Sequence, residues 1–143
     1  MMSVASRWCD YYLQIVMQFC PTKLKDTTDL MQKIKNLGPL SPSTVIFTYD
    51  AEKLYPTIAI GPALRAIKWW LNHLKDKLPE DFCDHTLLLN LLHTVMTENI
   101  FQFDDVYYIQ INGTAAGTNA APPYAELFLG YHEVNVLIPK YRN

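Results

Sequence analysis

Two stretches of this 143-residue chain carry residue types that could do chemistry, a carboxylate closing a β-rich run and a turn bracketed by glycines. The first is Thr44-Val-Ile-Phe-Thr-Tyr-Asp50, a β-branched and aromatic run too short for a helix, bounded by Ser41-Pro42-Ser43 and closed by a carboxylate. It reads as a buried strand ending at Asp50. A carboxylate at the end of a rigid strand is placed to hold a divalent metal ion such as magnesium. Asp50 is the candidate ligand; taken alone, an aspartate after a strand more often caps the next element. In the second stretch Gly113 and Gly117 bracket a turn, where missing side chains permit unusual backbone angles and close approach to a ligand. Thr118, Asn119, Ala120 and Ala121 keep that surface small, although a plain strand-to-helix connection explains the spacing equally well. His73, His85, His93 and His132 show no spacing with carboxylates that suggests a zinc or acid-base site.

The elements that must position these residues follow from periodicity. Trp8, Tyr11, Tyr12, Ile15 and Phe19 recur at helical spacing before Pro21 ends the run. A second helix begins near Thr28 as N-cap, carries Leu30, Met31, Ile34 and Leu37 on one face and stops at Gly38-Pro39. Its lysines, Lys33 and Lys35, with Lys23 and Lys25 before it, read as a solvated face. Leu64, Ile67, Leu71 and Leu74 mark a third helix opposite Arg65, Lys68, Asn72 and Lys75, and Leu88, Leu91, Leu92 and Val95 a fourth. Trp69 and Trp70 read as core rather than as a base-stacking platform. Ile100–Phe103 and Val106–Ile111 flank Asp104-Asp105 as a tight hairpin. Pro122-Pro123 open a last helix with Tyr124, Leu127, Phe128 and Tyr131 as its buried stripe.

Composition narrows the class. Half the residues are hydrophobic, enough for one core and a single domain. A net charge of -2 lacks the basic bias of a free-standing nucleic-acid binder, so any contact with nucleic acid is expected within something larger. Cys9, Cys20 and Cys83 are odd in number and show neither a disulfide framework nor zinc spacing. With no secretory leader and no apolar run of membrane-spanning length, an intracellular, non-secreted protein away from membranes is expected. Asn112-Gly113-Thr114 is then a turn rather than a glycosylation site.

The run from Gly113 to Phe128, Gly-Thr-Ala-Ala-Gly-Thr-Asn-Ala-Ala-Pro-Pro-Tyr-Ala-Glu-Leu-Phe, together with Thr48-Tyr-Asp-Ala-Glu-Lys-Leu-Tyr55, resembles two signature motifs of a reverse-transcriptase palm. It is most similar to Penelope-like retroelement reverse transcriptases, and Asn99-x-Phe-x-Phe and Tyr108-x-Gln fit the same pattern. The resemblance runs from about Ala5 to Arg142. It implies an α+β fold, a partial palm whose helices cover one face of a small, mainly antiparallel sheet, and an RNA-directed DNA polymerase that uses an RNA template, a DNA primer and deoxynucleoside triphosphates. It implies magnesium held by Asp50 and the backbone carbonyl of Ala51. Tyr55 would pack under the sugar of the incoming nucleotide and exclude a 2′-hydroxyl, Ala116 and Gly117 would meet the nucleotide, and Thr118, Asn119 and Pro122 the template and primer. Ala116, Glu126 and Ala59-Ile60 depart from the family's usual methionine, asparagine and Pro-His.

The family's catalytic Asp-Asp pair follows the glycine-rich motif, whereas Asp104-Asp105 precedes it and reads as a turn. Residues 1–143 are therefore expected to span the fingers-palm connection and palm, truncated at both ends, without the fingers motifs, the Asp-Asp hairpin or the thumb. Such a chain is expected to be inactive and poorly stable alone. The alternative is a non-catalytic remnant that binds protein or RNA. A magnesium phosphotransferase of another kind would need a second carboxylate beside Asp50, and Glu52 is read as facing away from it.

Overall fold

The protein is described by a computed structural model covering residues 2–48 and 50–141, Met2 by its backbone only. Four helices build the core: α1 (Met2–Met17), α4 (Ile60–His73), α5 (His85–Thr97) and α6 (Ala121–His132). α1 packs on α5 and α6, and α4 packs on the same two. Each presents an apolar stripe at the spacing that periodicity requires. In α4 the stripe is Ala63, Ala66, Ile67, Trp70 and Leu71; in α5 it is Leu88, Leu92, Val95 and Met96. Trp70 is core, as its sequence setting implies, and its Nε1–H donates to Leu127 O at 2.9 Å, so the indole buries no unpaired donor.

α1 departs from expectation. Its buried face is Ser6, Cys9, Leu13, Val16 and Met17, while Trp8, Tyr12 and Ile15 are half-buried and Tyr11 is exposed. Smaller side chains take the contact with α5 and α6, and the bulky aromatics sit at its rim.

α2 (Thr27–Asn36) is capped by Asp26, not Thr28: the Asp26 carboxylate accepts from Asp29 N at 2.8 Å. An anion at the positive end of the helix outcompetes a hydroxyl at the second helical position. The stripe Leu30, Met31, Ile34 and Leu37 forms but remains exposed, and among the described residues no other element packs closely against it.

The expected buried strand at 44–49 is absent over its described residues: 44–48 belong to no helix or ladder, and Val45, Ile46 and Phe47 are 80%, 73% and 77% exposed. Tyr49 lies outside the described residues. A strand needs a neighbour to satisfy its backbone, and the sheet among the described residues is β1 (Ile100–Phe103) paired antiparallel with β2 (Val106–Ile109) and nothing else. Asp104-Asp105 forms the tight turn between them, with Asp104 at φ 56°. The fold is α+β, but the helices cover one another and leave both faces of the hairpin exposed. After a short α3 (Leu54–Thr57) and α6, a π-helical turn (Glu133–Leu137) and α7 (Ile138–Tyr141) carry the chain on.

Candidate functional site

The two motif regions meet at one joint. Thr114 N donates to Tyr55 O at 2.8 Å, and Thr114 Oγ1 donates to Ile58 O at 3.2 Å. This clips the glycine-rich turn to α3 and to the residue that follows it. Gly113 makes the approach possible: it holds φ +78°, and a Cβ there would lie 2.6 Å from both the Cα and the carbonyl oxygen of Pro56. Only a residue without a side chain fits. Gly117 differs, because a Cβ at that position would meet nothing within 4 Å.

Beyond the joint, the turn leads into α6 with Pro122 and Pro123 in its first turn, where missing N–H groups cost nothing. Ser6 of α1, itself buried, accepts from Ala120 N at 3.1 Å and fixes the start of α6. Tyr124 is fully buried, and its hydroxyl donates to Ile60 O at 3.1 Å, tying α6 to α4. That burial raises its phenol above the usual range. Ala116, Gly117, Asn119 and Pro122 are exposed, and Thr118 is half-buried with its hydroxyl donating to Ala115 O. Gly117, Thr118 and Asn119 border a cleft of about 310 Å³ whose other walls include Ser3, Ser6, Glu98 and Asn99. Among the described residues no lysine or arginine lines it.

At the other motif, Tyr55 is half-buried against the core, while Asp50 and Ala51 are exposed. The structure thus joins the Tyr55 end of the first motif to the glycine-rich turn, but it brings no ligand set to Asp50. Among the described residues no three or more His, Cys, Asp or Glu side chains gather where they could hold a metal ion. Strand alternation does not separate Glu52 from Asp50, since residues two apart share a face of an extended strand. Here 52–53 form a turn instead. One exposed carboxylate does not fit a two-magnesium centre, so the residues present do not compose the metal site that the resemblance implies.

Comparison with known proteins adds no relative. No family model, curated protein or solved structure matches the chain. Among the described residues no helix is long and apolar enough to cross a membrane. The three cysteines are free thiols, and burial, with a smaller contribution from Cys83, pushes Cys9 up to about 12.

Sequence reasoning missed Ser6, a polar residue on an otherwise apolar helix face, a signal that was available. It placed Thr114 and Gln110 in the motif runs but not the bonds they make: those of Thr114 to Tyr55 and Ile58 join residues far apart in sequence, and those of Gln110 to Asn112 and Thr114, though local, depend on the conformation of the turn.

Proposed function

We propose that the chain is part of the palm of an RNA-directed DNA polymerase working inside the cell on an RNA template, a DNA primer and deoxynucleoside triphosphates. The observation that supports this reading best is the joint between the two motifs. A polymerase palm must hold its strand-end carboxylate, its sugar-contacting ring and its glycine-rich turn in one unit, and Gly113, Thr114 and Tyr55 bring the last two of these together. In this reading Tyr55 lies under the sugar and rejects ribonucleotides by clash. Ala116 and Gly117 present a surface without bulk to the base pair, and Thr118, Asn119 and Pro122 meet the template and primer. Asp50 and the Ala51 carbonyl would contribute to magnesium binding, with at least one further carboxylate required from outside the described residues.

A second reading, a non-catalytic module that binds RNA or protein, is favoured by the uncovered apolar hairpin. Nucleotide incorporation opposite an RNA template separates the two. The 143-residue chain by itself is expected to be inactive, because one carboxylate cannot hold two ions in the geometry of an in-line displacement. Incorporation by the chain alone, above an Asp50→Asn control, would overturn that expectation.

A further inference from the structure

Gln110 ends the hairpin and reaches into the glycine-rich turn. Its backbone N–H donates to Asn99 O at 3.0 Å, one pair beyond the Ile100–Ile109 pair of the ladder. Its side-chain Nε2 donates to Asn112 O at 2.8 Å and to Thr114 O at 3.2 Å, the carbonyls on either side of Gly113. A primary amide has one donor end and one acceptor end. Asn99 Nδ2 donates to Gln110 Oε1 at 2.8 Å, so the acceptor end is occupied and the donor end is left facing the two carbonyls. The opposite orientation would set an oxygen against two oxygens.

The turn needs such support. Gly113 has the widest backbone freedom of any residue type, and downstream the turn's own internal bond, Thr118 N to Ala115 O, is long at 3.5 Å. Thr114 is held from one side by Tyr55 and Ile58 and from the other by Gln110.

We propose that Gln110 is a positioning residue: its amide, oriented by Asn99, clamps both carbonyls that flank Gly113 and so sets where residues 113–117 meet the incoming nucleotide. The clamp is a property of the chain itself, while the consequence for the nucleotide rests on the polymerase reading.

Two near-isosteric variants test it. Gln110→Glu keeps an acceptor for Asn99 but turns the donor into an oxygen that repels both carbonyls. Asn99→Asp removes the donor that orients the amide. In the 143-residue chain, amide exchange of residues 113–118 should quicken about tenfold in both, the loss expected for one or two hydrogen bonds, with α4 and α6 unchanged. In a polymerase carrying this chain, KM for the deoxynucleotide should rise about tenfold while kcat changes far less. Unchanged exchange in the turn overturns the clamp, and equal acceleration in α4 and α6 overturns it too, by showing a merely structural role. Faster exchange confined to the turn with unchanged KM overturns the link to the nucleotide. If the turn loosens as expected but the unsubstituted polymerase incorporates nothing, the clamp stands and the polymerase reading fails.

Discussion

Replacing Gly113 by alanine should break the joint, whereas replacing Gly117 should not. At Gly113 the added Cβ faces the backbone of Pro56 at 2.6 Å, so backbone must move rather than a flexible side chain. The positive φ of +78° costs an L-residue about 1–2 kcal/mol. Displacing Pro56 also strains the adjacent Thr114–Tyr55 bond, whose loss costs about 1 kcal/mol. Together the change amounts to about 2–3 kcal/mol. For a chain of this length that lowers Tm by about 10 °C. Gly117→Ala meets open space and should stay within about 0.5 kcal/mol of the unsubstituted chain. Urea unfolding followed by tryptophan fluorescence reads both, since Trp70 is buried in the α4–α6 contact. Equal stabilities for the two variants would refute the reasoning, because the two glycines differ in the close approach and backbone angle found only at Gly113.

Three further outcomes follow from named residues. Tyr55→Ala, in a polymerase carrying the chain, should retain some synthesis and relax discrimination against ribonucleotides about 10- to 100-fold; unchanged sugar selectivity would show that Tyr55 is not the gate. Stability should be full below pH 9 and fall as pH rises toward 12, because burial holds the proton on Cys9, raised from 9.0 to about 12, while the unfolded thiol ionises earlier. Tyr124 shifts in the same direction and steepens the fall, so a flat profile in urea titrations from pH 8 to 11.5 would contradict the buried placement of both groups. The chain should self-associate through Val45, Ile46, Phe47 and the uncovered hairpin, and Ile46→Lys with Phe47→Lys should reduce this in sedimentation; a monomer at every concentration, with well-dispersed amide resonances, would argue against it.

The helices α4 and α5 were legible in sequence because each buries one stripe at helical spacing, and burial is what that spacing encodes. In α6 Tyr124 and Leu127 are buried as expected, but Phe128 and Tyr131 are half-buried, and the small residues Ala121, Ala125 and Gly130 take the close contacts instead. The Asp104-Asp105 turn was legible because two carboxylates between two β-rich runs have few other uses. The strand at 44–49 was misread for a physical reason: β-branched residues report that a segment suits a sheet, not that a neighbouring strand is there to receive it. In α1 both faces carry apolar residues, so periodicity located the helix but not its inward face. The glycine-rich turn could be recognised, but the approach of Gly113 to Pro56 joins residues far apart in sequence. The clamp from Gln110 reaches only two and four residues along the chain, yet it depends on the conformation of the turn and on Asn99 across the hairpin, which residue types alone do not fix.

The most direct test of the polymerase reading is primer extension on an RNA template by a polymerase that carries residues 1–143 and supplies the remaining metal-binding carboxylates, with Asp50 intact or replaced by asparagine. Asp50 is exposed and makes no packing contribution to the core, so Asp50→Asn should leave folding unchanged while abolishing nucleotide addition. Undiminished extension by the folded Asp50→Asn variant would contradict the account.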